Sequence, residues 1–212
     1  MSMILWPAVI TLAITLLRLT GELQKWSTSL FNPAAGGGGA LVGISWLPFV
    51  LGPYFAWTLA KSGKGPKSAW RAVLLGVVGI VVSVGFFAAI SKLWPGAPGF
   101  LLSFLVWLGA AFIPWKAWPE LGRVLLAYSL AARVPVALLM LIAIYGNWGT
   151  HYDVLPANAP PNLVAMGPLG RWVFIGLAPQ LTVWIGITLL IGTVFGGLLV
   201  ALAKPKPAGR VS

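Results

Sequence analysis

Cysteine is absent from this chain, histidine occurs once, and acidic residues occur three times in 212 residues. The first absence excludes disulfides, thiolate metal sites, iron–sulfur clusters and a cysteine nucleophile. The lone His151 cannot supply paired imidazoles for a haem or a three-histidine zinc site, so no metal and no cofactor is expected from the inventory. The acids are Glu22, Glu120 and Asp153. A paired-carboxylate active site or a carboxylate proton relay has only these to draw on. The reading is therefore non-enzymatic, with no catalytic residue assigned.

Charge of either sign is scarce too, at 8% of residues, while 59% are hydrophobic and the mean hydropathy is +0.93. Soluble domains carry about 25% charged residues. No single aqueous core would bury this much apolar surface, so lipid is the solvent for much of it. The net charge of +11 does not indicate nucleic acid, because the cations sit in short links between apolar runs, where topology determinants belong. The first apolar run lacks a basic leader and a small-residue cleavage site, and reads as a retained helix.

Six spans can be drawn, over residues 3–19, 40–60, 72–90, 100–114, 120–145 and 180–203. About 20 residues cross the roughly 30 Å of hydrocarbon. The expected fold is an all-α polytopic helical bundle, one domain over residues 1–203 with a short basic tail at 204–212. One side carries Lys61, Lys64, Lys67, Arg71, Lys116, Arg123, Lys204, Lys206 and Arg210. The other carries Arg18, Lys25, Lys92 and Arg171. That asymmetry places both termini in the cytoplasm of a bacterial inner membrane. Most tryptophans fall near span ends, at the depth their amphipathic rings prefer.

Three groups of residues stand out. Arg133 lies at the middle of the fifth span, where a permanent cation costs several kcal/mol unless paired or wetted. Pro135 leaves the Ala131 carbonyl without its usual donor. Ser129 lies one turn earlier, and Glu22 and Gln180 are further candidate partners. The second group is an outer polar cluster of Asn147, His151, Tyr152 and Asp153, with Trp148 and Thr150 between them. Arg18, Thr20, Glu22, Gln24, Lys25 and Asn32 lie on the same side. If the two segments meet, they hold the one histidine and two of the three acids. The third group is glycine. Gly36, Gly37, Gly38 and Gly39 run together before Gly43, and Gly192 and Gly196 repeat the four-residue spacing. Such spacing places flat patches for helix packing, or a hinge.

The stretch Trp115-Lys-Ala-Trp-Pro-Glu-Leu-Gly-Arg-Val-Leu-Leu-Ala-Tyr-Ser-Leu-Ala-Ala-Arg-Val-Pro135 resembles the Yip family of small polytopic membrane proteins. In that family a helix, a short polar link and a further helix carry a tyrosine and a proline. The resemblance covers residues 100–140, about a fifth of the chain. It implies a helical bundle without catalysis and without a ligand. The family would suggest five spans against the six drawn here, and the glycine run and the 147–153 cluster have no counterpart in it.

The expected function is a scaffold or accessory subunit that meets a partner or lipid through its outer loops. The alternatives are a small-solute or anion transporter or channel using Arg133, and a pigment- or cofactor-binding subunit using His151. The expected partners are the bilayer and a homo-oligomer or larger membrane complex.

Overall fold

The computed structural model describes residues 2–37, 39–94, 96–157 and 159–206. Gly38 and the tail from residue 207, including Arg210, lie outside them. Among the described residues the chain is helical and has no strand. The helices are α1 (Ser2–Leu23), α2 (Leu47–Lys61), α3 (Ala69–Leu93), α4 (Ala97–Ala110), α5 (Pro119–Gly146), α6 (Pro161–Val164), α7 (Pro168–Arg171), α8 (Ala178–Leu181) and α9 (Val183–Ala203). A π-helical turn, Trp172–Leu177, joins α7 to α8.

Four helical stretches are long and apolar enough to cross a membrane: Met3–Leu23, Ala69–Ile90, Pro119–Gly146 and Pro168–Ala203. Two of the six drawn spans are helices shorter than the roughly 20 residues that a crossing takes. The second begins only at Leu47, because residues 41–46 form bends and turns and Pro48 sits at the start of the helix. Its 15 residues reach about 22 Å at 1.5 Å each. The fourth is a 14-residue helix followed by a 3-10 turn at Ile113–Lys116 that takes up Pro114. The last is longer than drawn. Residues 169–177 belong to the helical stretch that begins at Pro168. Pro179 lies inside α8, and the irregular residue is Thr182, at φ −120° and ψ −73°.

The chain packs as two compact units. The first contains Met1–Ile4, Trp46–Leu130 and Thr182–Ser212. Its centre is α9 against α2 and α3. A Cβ on Gly196 would lie 2.7 Å from the Ala56 methyl, and one on Gly197 would lie 2.8 Å from Val73 Cγ2. The α2 and α9 backbones also meet at Gly52 and Gly192. With so little side chain between them, the two helices approach more closely than Leu-faced helices can. Phe55, Leu121, Leu125, Leu189 and Leu190 are buried here. The Trp118 indole N–H donates to the Lys64 carbonyl at 2.9 Å, fastening the α2–α3 link to the start of α5.

The second unit contains Leu5–Ser45 and Ala131–Leu181. Val136, Met140 and Ala143 of α5 form its core with Tyr152, covered by Leu19, Ile44, Leu139, Trp148, Trp172 and Ile175. The Trp172 indole donates to the Ala137 carbonyl at 2.7 Å. Arg171 turns back to the carbonyls of Met166 and Val164, at 2.9 and 2.8 Å. A cation thus closes the carbonyl end of α6, where the helix dipole favours it.

Candidate functional site

Arg18 and Glu22 are one turn apart on the last two turns of α1, so both project from one face. The Glu22 side chain is completely buried, and an isolated carboxylate there would be costly. Three donors meet it. Arg18 Nε approaches Oε1 at 2.8 Å, His151 Nδ1 approaches the same oxygen at 2.6 Å, and the His151 backbone N–H donates to Oε2 at 2.9 Å. The two polar segments separated by more than a hundred residues therefore meet at one carboxylate.

The rest of the Arg18 guanidinium is held by backbone. Nη2 donates to the Asn32 carbonyl at 3.2 Å and to the Gly37 carbonyl at 3.0 Å. A Cβ on Gly37 would lie 2.8 Å from Nη2, and one on Gly43 would lie 2.9 Å from Nη1. These two glycines let the 24–45 segment close over a guanidinium. Gly37 also has φ +85°, a conformation that side-chain-bearing residues rarely adopt. Gly36 and Gly39 have positive φ but open space around them. Gly192 and Gly196 belong to the α2–α9 contact.

On the other segment, Asn147 ends α5 in the left-handed conformation, at φ 49°. Asp153 folds the following turn by accepting from the N–H of Gly149 at 2.9 Å, the N–H of Thr150 at 2.8 Å and the Thr150 hydroxyl at 2.7 Å. This local fold aims the His151 N–H at Glu22. Tyr152 is buried beneath it, its hydroxyl donating to the Thr15 carbonyl at 3.2 Å and its ring 3.9 Å from the imidazole.

Burial is the largest influence on His151 and pulls its pKa down. Glu22 pulls the other way, Arg18 adds to the lowering, and the net direction is down. The imidazole is accordingly neutral at pH 7, with its proton on the Nδ1 that faces the carboxylate. Burial pushes the Tyr152 phenol upward, so it stays a neutral donor. The cluster is thus one guanidinium–carboxylate pair with two neutral donors packed on it. Its carboxylates are occupied and its threonine hydroxyl is bonded to Asp153, so the cluster clasps two segments of the chain together.

The candidates around Arg133 are distributed differently. Arg133 is 4% exposed near the middle of α5. Glu22 is engaged by Arg18 and His151. Ser129 donates to the Leu125 and Leu126 carbonyls of its own helix, at 2.7 and 3.0 Å. Gln180 places Nε2 3.8 Å from Met140 Sδ, and its buried Oε1 has no hydrogen-bond partner among the described residues. No group of three or more histidine, aspartate or glutamate side chains that could hold a metal occurs among the described residues. Sequence reasoning placed Arg18 beside the cluster without making it central. Its four-residue spacing from Glu22 was the available signal.

No family model, curated protein or solved structure matches this chain.

Proposed function

We propose that this chain is a non-enzymatic integral membrane protein that serves as a scaffold or accessory subunit. In this reading six helices span a bacterial inner membrane with both termini in the cytoplasm, the shorter α2 and α4 being accommodated by tilt or local thinning. The Yip-like stretch at residues 100–140 fits the same non-catalytic bundle. The working surface is the outer cap formed by the 24–45 segment and the 147–155 turn, where a partner protein or lipid is met.

The observation that carries this reading is the carboxylate of Glu22, buried and bonded by three donors from two segments. Such a clasp holds its surface in one shape before anything binds, which lowers the ordering cost of association. The buried hydroxyls point the same way. Thr15, Ser83, Ser103 and Thr188 each donate to a carbonyl one turn back on their own helix, at 2.8 to 2.9 Å. Each of these hydroxyls has its one donor committed within its own helix.

A photoreactive side chain at Trp26 or Tyr145, which are 46% and 60% exposed, tests the proposal in intact cells. One discrete adduct, lost in Glu22→Gln at equal expression, is the expected result. Absence of any discrete adduct at both positions contradicts it.

A transporter reading is favoured by one observation, the unbonded Oε1 of Gln180 in the same unit as buried Arg133. It requires anion flux in proteoliposomes that falls in Arg133→Gln, and the scaffold reading requires none.

A further inference from the structure

One end of the first unit gathers cations. Lys61 closes α2, Lys64 and Lys67 follow in the link, and Arg71 lies in the first turn of α3; all are exposed. The Trp118 indole fastens this link, through the Lys64 carbonyl, to the segment that carries Lys116 and Arg123. Helix α9 runs parallel to α2, with Gly192 at Gly52 and Gly196 at Ala56, so Lys204 and Lys206 emerge at the same end. The acid there is Glu120, partly exposed and 3.8 Å from Arg123. Lys92 is the one cation at the opposite end of this unit among the described residues.

Two details go beyond a simple charge bias. The first turn of α3 holds Arg71 and no acid, so a cation stands at the positive end of a helix dipole, where an anion is favoured instead. The cations also adjoin an apolar, tryptophan-bearing rim. Trp57, Trp70 and Leu74 are 37%, 57% and 62% exposed, and the Lys61 ammonium lies 5.4 Å from the centre of the Trp57 ring. Exposed indoles beside lysines mark headgroup depth.

We propose that this end is a built binding site for anionic phospholipid headgroups of the leaflet it faces. The phosphodiester sits among Lys64, Lys67 and Arg71 at the α3 N-terminus while its acyl chains lie along the Trp70–Leu74 face. A soluble polyanion would meet these cations away from the apolar rim. The inference rests on the membrane-spanning reading and is independent of the clasp at Glu22.

The test uses the full chain, delipidated in mild detergent and offered phosphatidylglycerol or phosphatidylcholine, with retained lipid read by native mass spectrometry. Each surface cation near an anionic headgroup changes affinity by roughly fivefold. Phosphatidylglycerol should be retained over phosphatidylcholine. The triple variant K64Q/K67Q/R71Q should lose at least about tenfold in retention, a modest reading of that per-cation factor. A control variant, K92Q, removes the cation at the opposite end of the unit and should retain lipid as the parent does. Trp118→Phe, which changes no charge, should also weaken retention by releasing the link. An equal loss per charge removed in K92Q and in K64Q/K67Q/R71Q would show a diffuse charge effect and overturn the site, as would full retention in K64Q/K67Q/R71Q. Competition by millimolar inorganic phosphate with no advantage for the lipid would overturn the assignment to a headgroup.

Discussion

At the scale of single residues, the stability of the second unit depends on keeping Glu22 ionised and fully bonded. Glu22→Gln leaves Arg18 buried beside a neutral amide and removes an acceptor from His151. Breaking a buried pair from one side costs about 3–5 kcal/mol. Thermal unfolding in detergent should show a loss of that order, and a loss below about 1 kcal/mol would place Glu22 among ordinary surface pairs. His151 sets the pH dependence. Burial holds its folded pKa below the ordinary imidazole value, so the unfolded chain binds a proton first as pH falls. The contribution of neutral His151 is complete above about pH 6.5, and is lost as pH falls from there through the folded pKa. Stability measured between pH 7.5 and 5 should decline in the parent and decline less in His151→Asn, whose amide still donates to Glu22. Equal slopes would contradict the assignment of that proton to His151.

At the scale of elements, the glycines separate into two jobs. Gly37 and Gly43 make room for a guanidinium, and Gly52, Gly192 and Gly196 make room for a neighbouring backbone or methyl. Overpacking a tight contact costs about 1–3 kcal/mol. Gly196→Val should therefore lower the unfolding temperature more than Gly85→Val, since Gly85 has nothing within 4 Å. Equal shifts would mean that α2 and α9 do not pack at this contact. The contrast also shows what the sequence could disclose. The four-residue spacings marked small helix faces, but spacing alone does not say whether a glycine faces a helix or an arginine. Gly39 and Gly43 have that spacing, yet it is Gly37 and Gly43 that contact Arg18. Long apolar runs announced α1, α3 and α5 because composition and length are local properties. The late start of α2 was less legible, since residues 41–46 are as apolar as a helix and are kept out of one by the glycines before them and Pro48 after them. The meeting of Glu22 with His151 was foreshadowed only by two polar segments on the same side. Which atoms touch depends on the turn that Asp153 folds, a tertiary result that neither segment encodes alone.

At the scale of the whole molecule, the lack of cysteine becomes an advantage, because single cysteines can be introduced without removing any. Under the proposed six-span topology, Ser62→Cys faces the cytoplasm, while Ser27→Cys and Asn147→Cys face outward. All three positions are exposed. A membrane-impermeant maleimide applied to intact cells with a permeabilised outer membrane should label the latter two and leave Ser62→Cys unlabelled until lysis. Labelling of all three, or of Ser62→Cys alone, would reverse or break the topology. The account as a whole depends on two distant segments forming one cap around a buried carboxylate. Hydrogen–deuterium exchange on the protein in nanodiscs tests that directly. Peptides covering residues 24–45 and 147–155 should be protected together in the parent, and both should exchange faster in Glu22→Gln. Rapid exchange of either segment in the parent, or unchanged protection of both in Glu22→Gln, would contradict it.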